Sequence, residues 1–195
     1  VRGVSQLVAR LPQRGIGLTL LLQGPYEAPI ELGVDNGCRI FGFNTRVPMV
    51  EGHRLKSLLG YMAYRGRTIA TLHRFLQEHK IDAVNVHYPS GQYVYFAALR
   101  EQHKYPLMLS FHGSDIRLQF DTGGINQRAF ARLIRTADAI TAVSNDLLAQ
   151  VARRVPDAKG EMVTVHGGAN AEFFAEYNRP PVAMHPPYIL FVARM

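Results

Sequence analysis

The stretch Tyr105-Pro106-Leu107-Met108-Leu109-Ser110-Phe111-His112-Gly113-Ser114-Asp115-Ile116 decides the fold. Leu107 to Phe111 is a short, mostly apolar run, and it stops at His112-Gly113 with Asp115 two residues on. A polar exit of this kind has a natural place where strand ends face a crevice. In an open parallel sheet the C-terminal strand ends lie along one edge, and ligands bind outside that edge.

Working outward, the same exit recurs. Val84-Asn85-Val86 runs into His87, and Met162 to Val165 runs into His166-Gly167-Gly168. His87, His112 and His166 are therefore expected on one side of the domain, although lying on different strands does not by itself make them contacts. Glycine lets backbone approach a ligand, and a following helix N-terminus offers free N–H groups to a phosphate. Asp115 suits either a ligand hydroxyl or a local turn cap. The ordinary role of each histidine is a hydrogen-bonded strand-end residue. Three histidines also raise a catalytic zinc, but no pair stands at i, i+4 on a helix and no His-x-His occurs. Arg14-Gly15-Ile16-Gly17 precedes a strand instead of opening a helix, so it is not a dinucleotide fingerprint, and no P-loop is present.

The surrounding pattern alternates strands and helices. Val4, Leu7, Val8 and Leu11 stand at helical spacing, with Pro12 weakening the end and Gly15 as a stop. Ile16 to Leu22 reads as a strand, Gly24 to Asn36 as irregular, and Cys38 to Phe43 as a second strand. Arg54 to Lys80 reads as two helices broken near Gly60 or Gly66, with Ile69, Leu72, Phe75 and Leu76 on one face. Strands are expected over 81–86, 107–111, 139–143 and 162–165, with a helix over 91–102. Phe130, Leu133, Ile134 and Ala137 mark another helix. Ser144 caps the next, with Asp146 in its first turn, and that helix stops before Pro156. Residues 24–36, 44–53 and 117–126 are left as loops. Such alternation means βαβ units and an α/β fold, a mostly parallel sheet with helices on both faces.

Composition bounds the function. The chain has 195 residues, enough for one domain and part of another, and 47% of them are hydrophobic. Cys38 is the only cysteine, so neither a disulfide framework nor a cysteine metal cluster is available, which favours a reducing compartment. The net charge is +7, spread as scattered arginines without a dense basic run. That argues against a nucleic-acid arm and suits phosphate-bearing substrates or an anionic membrane surface. Ile16 to Leu22 is too short to span a bilayer.

These residues resemble the N-terminal domain of retaining family-4 glycosyltransferases of the GT-B fold, over most of the chain and most strongly from Ile81 onward. The resemblance is carried by Val84-Asn85-Val86-His87, by the H-G-x-D of His112-Gly113-Ser114-Asp115, and by Ala137-Asp138 before a strand ending in Val143-Ser144. It continues in the turn from Val165 to Phe174 and in the strand Ile189 to Arg194. Arg2-Gly3-Val4 resembles the family's glycine-rich turn, with Arg2 replacing its first glycine. Gly167, Asn170 and Ala193 depart from the family's asparagine, aspartate and glycine.

The resemblance implies a Rossmann-like acceptor domain over 1–176 lacking its first strand, a proline-rich linker over 177–187, and over 188–195 the first strand of a donor domain. It implies transfer of a sugar from a nucleotide-sugar donor to a carbohydrate or lipid-linked acceptor with retained configuration; no metal or organic cofactor is expected. His112 inherits a place at the donor sugar, and Gly3 one at the diphosphate. His87, Gly113 and Asp115 complete the expected substrate-binding set. The family's basic phosphate-binding residues and paired glutamates would lie beyond Met195, so the 195 residues are expected to be inactive alone. A cytoplasmic enzyme is expected, with peripheral contact to the inner membrane face through the basic helical region Arg54 to Arg74. Two alternatives are a non-catalytic carbohydrate- or nucleotide-binding module on the same fold and a metal-dependent hydrolase.

Overall fold

The computed structural model describes residues 11–48, 54–121 and 124–166. The segments 1–10 and 167–195 fall outside it. With them go the expected first helix, Gly3, the 177–187 linker and the 188–195 strand.

Two sheets share one core. The first holds β1 (Thr19–Gln23), β2 (Ile30–Asp35) and β3 (Cys38–Phe43) in the order β1-β3-β2. β1 is parallel to β3, and β2 is antiparallel to it. The second is wholly parallel, with β4 (Val84–His87), β5 (Leu107–Phe111), β6 (Ala139–Ala142) and β7 (Glu161–Thr164) in sequential order. This is the expected α/β, Rossmann-like architecture. Its helices are α1 (Arg54–Glu78), α2 (Val94–His103), α3 (Ser114–Asp121), α4 (Gly124–Thr136) and α5 (Asn145–Arg154).

Alternation along the parallel strands sets the two faces. Val86, Leu107, Leu109, Phe111, Ile140 and Ala142 are buried. In α4, Phe130, Leu133 and Ile134 are fully buried in the same core. The opposite face carries Asn85, His87, Met108, Ser110, Thr141 and Val163, paired in register as Asn85 with Met108, His87 with Ser110, and Ser110 with Thr141. The first sheet joins this core through Phe41, whose ring meets Phe75 of α1 edge-on at 5.0 Å. Tyr95 of α2 also donates its hydroxyl proton to the Arg46 carbonyl at 2.9 Å.

Four expectations are corrected. The strand expected at Ile16 to Leu22 begins at Thr19, because Ile16 N–H bonds back to the Leu11 carbonyl at 3.2 Å and closes a turn. The segment expected to be irregular over 24–36 contains β2, turned back onto β3 at Asn36-Gly37. Both turn residues are left-handed, φ +48° and +78°, as a two-residue hairpin requires. The two helices expected over 54–80 are one continuous helix. An interior glycine costs about 1 kcal/mol relative to alanine, and the buried row Ile69, Leu72, Phe75 and Leu76 outweighs Gly60 and Gly66. That helix ends at left-handed Lys80, with Ile81 N–H bonding the Leu76 carbonyl at 2.9 Å. Finally, the loop expected over 117–126 is largely helical, since Ile116 and Phe120 both reach the core from α3.

Ser144 behaves as its sequence context foretells. Its side chain accepts from Leu147 N–H at 3.2 Å and caps α5.

Candidate functional site

The β4 and β5 exits bring two histidines together. His87 ends β4, and His112 follows Phe111 at the end of β5. Their rings meet at His87 Nδ1 and His112 Nε2, 3.0 Å apart. Sequence reading places both on the same edge, and the structure makes them direct partners. His166 lies beyond β7, two strands from β5, and is exposed.

The turn after His112 is built by Asp115. Its carboxylate accepts from the backbone N–H groups of His112 at 2.9 Å, Gly113 at 2.8 Å and Ile116 at 3.2 Å. Asp115 is buried, and these bonds organise the start of α3, which is the capping role open to it. Gly113 has φ +135° with open space where a Cβ would stand. Backbone conformation, and not crowding, is what calls for glycine there.

Tyr88 is a member of the site that the strand-exit pattern does not flag. Its ring stacks on His112 with centroids 4.1 Å apart and planes 20° from parallel, while the residue stays 45% exposed. Its backbone is left-handed, φ +54°, held there by Tyr88 N–H bonding the Ser110 carbonyl at 3.2 Å. Strain of this kind in a non-glycine residue persists where surrounding structure over-determines it, often at functional sites. Histidine followed by Tyr-Pro at a strand exit is the only local signal, and nothing in it specifies a positive φ.

Three further residues were not singled out and belong to the same cluster. Asn85 Nδ2 stands 3.3 Å from His87 Nε2. Ser110 Oγ donates to Asn85 Oδ1 at 2.9 Å, and Thr141 Oγ1 donates to Ser110 Oγ at 3.0 Å. Period-two alternation was the signal that could have found them, because Asn85, His87, Ser110 and Thr141 occupy one sheet face in register.

Burial pushes His87 below the ordinary histidine range, and neighbouring His112 pushes it the same way. His112 is also lowered by burial, opposed in part by Asp115. Both rings therefore favour the neutral form, with one donor and one acceptor nitrogen each. Such a pair can bind hydroxyl and phosphate oxygens or hold a proton between His87 Nδ1 and His112 Nε2. Among the described residues, no three His, Cys, Asp or Glu side chains converge to hold a metal ion.

A hollow lies by the loop after β3, lined by Glu27, Asn44, Arg46, Tyr64, Arg67 and Thr68 among others. There Arg46 pairs with Glu27 at 2.6 Å and lies 4.0 Å over the Tyr64 ring. No curated protein matches the chain. A family model, that of Glycosyltransferase Family 4, matches residues 1–173.

Proposed function

Because the chain belongs to Glycosyltransferase Family 4, whose members act on sugar donors and acceptors, we propose that it forms the acceptor half of a retaining transferase that uses a nucleotide-sugar donor. The observation that carries this reading is the His87–His112 pair at the C-terminal edge of the parallel strands. A neutral imidazole beside an exposed aromatic ring suits a sugar. The ring offers an apolar platform, and the imidazole offers a directed hydrogen bond to a hydroxyl. In this reading the donor sugar lies against His112, with Gly3 close to the diphosphate. Gly113 and Asp115 shape the turn that presents His112. The acceptor enters from the side of the Arg46 hollow.

Transfer with retention demands mainly that charge on the departing diphosphate be stabilised, by helix N-termini and cationic side chains. The described residues of the histidine cluster supply no cation, so in this proposal those groups come from a donor domain opening near residue 188. The 195 residues alone are then inactive, and the enzyme works in the cytoplasm, with peripheral contact to the membrane.

The test is a nucleotide-sugar screen of the intact enzyme, with the product anomer read by NMR. His112→Ala should lower kcat at least about tenfold, equal to about 1.4 kcal/mol of transition-state stabilisation. Wild-type turnover in that variant would remove His112 from the catalytic list. An inverted product anomer would end the retaining assignment.

A further inference from the structure

The polar side chains on the sheet face opposite Leu109 and Ile140 form a single hydrogen-bonded chain that runs into His112. We propose that Thr141, Ser110, Asn85 and His87 hold His112 in the tautomer with its proton on Nδ1, so that the ring nitrogen left for a ligand is a hydrogen-bond donor.

The direction of the chain follows from its geometry. Thr141 Oγ1 lies 3.0 Å from Ser110 Oγ, and Ser110 Oγ lies 2.9 Å from Asn85 Oδ1. A hydroxyl donating to Asn85 Oδ1 turns the amide so that Nδ2 faces His87, 3.3 Å from Nε2. An amide nitrogen only donates, so His87 Nε2 must accept. Neutral His87 then carries its proton on Nδ1 and gives it to His112 Nε2 at 3.0 Å. His112 Nε2 accepts, which leaves its own proton on Nδ1. That nitrogen makes no hydrogen bond to a described residue.

The reverse chain is poorer at its head. Among the described residues it leaves Thr141 only the Leu109 carbonyl as acceptor, 3.5 Å away, well outside the usual range of about 2.5–3.0 Å for an O–H···O bond. Ser110 is the fixed point of the chain, because it is buried. Asn85 is exposed, so the Ser110 hydroxyl rather than packing holds its amide. Thr141, Ser110, Asn85 and His87 are positioning residues, since they act on a ligand only through His112.

The consequence for chemistry rests on the transferase reading: a donor at Nδ1 selects a hydroxyl or phosphate oxygen and disfavours a ligand N–H group. The tautomer itself does not depend on that reading. Its test is a long-range proton–nitrogen correlation spectrum of the nitrogen-15-labelled protein at about pH 7.5, where the lowered histidines are neutral. The expected result is a protonated Nδ1 and a bare Nε2 on both His87 and His112. A proton on His112 Nε2, or averaging between the two nitrogens, overturns the proposal. In Ser110→Ala the amide of Asn85 is released, and both histidines should move to mixed tautomers. An unchanged pattern in a folded Ser110→Ala protein overturns the role of Ser110, and the wild-type spectrum decides the tautomer even where the variant does not fold. Absence of sugar transfer would leave these spectra unaffected, so the two readings fail separately.

Discussion

His87 and His112 meet across 3.0 Å with room for one proton between them, and both resist taking a second. Burial lowers each of them, and at His87 the neighbouring ring adds to the effect. The unfolded chain, with histidines near about 6.5, binds protons that the folded pair refuses. Their contribution to stability is therefore full above about pH 6.5 and is lost as the pH falls through it toward the lowered folded values. The urea midpoint should drop between about pH 7.5 and pH 5. His73, stacked on His103 at 3.6 Å, shifts in the same direction. The informative comparison is thus wild type against His87→Gln, whose midpoint should fall less steeply. Identical slopes would show that the pair carries no such linkage. At this scale the sequence announces the histidines through their strand-exit positions. It does not announce Tyr88, because a positive φ follows from the Ser110 carbonyl that the fold brings to it.

At the scale of elements, the turn Gly91–Tyr93 before α2 packs closely against helix α4. A Cβ on Gly91 would meet the Asn126 carbonyl oxygen at 2.6 Å, a backbone atom that cannot swing aside. Gly91→Ala should destabilise the protein by about 1–3 kcal/mol, the usual range for overpacking, measured by chemical denaturation; an unchanged midpoint would mean that the two backbones separate freely. Helix α1 raises a different question. Its exposed side carries Leu59 and Met62, 62% and 63% exposed, in company with Lys56, Arg67 and Arg74. No helix among the described residues is long and apolar enough to cross a membrane, whereas a mixed apolar and basic stripe suits adsorption to an anionic surface. On the proposed peripheral contact, the protein should cosediment with anionic vesicles and Leu59→Glu with Met62→Glu should release it. Equal recovery with neutral vesicles would end that proposal. Elements with a clean period or a strong cap were legible in advance: β3 and β5 match their expected spans, and α5 stops before Pro156. β2 was missed although Asn36-Gly37 is a strong hairpin signal. Pro25 and Pro29 before it are breakers that point locally to irregular structure.

For the molecule as a whole, α1 is the element through which the two sheets share a core. Leu72 is fully buried in the cluster that joins Phe41 and Phe43 of the first sheet to Leu109 and Phe111 of the second. Leu72→Ala should lower the unfolding free energy by about 2–5 kcal/mol, as large-to-small core changes do. Unfolding should remain a single transition by far-ultraviolet and tyrosine signals, because one core serves both sheets. Two separated transitions would show that the sheets unfold independently. The alternation of strands and helices, the buried faces of α1 and α4, the edge on which His87 and His112 stand, and the family were all decided by residue order alone. Periodicity, caps and strand exits are local, and they are written in neighbouring positions. The contact between His87 and His112, the backbone strain at Tyr88 and the chain from Thr141 to His112 were decided only by tertiary structure. Residues 25 to 31 positions apart are brought within hydrogen-bonding distance there by the pairing of β4, β5 and β6. Strand register is a long-range property, and no local pattern encodes which side chains it will set against one another.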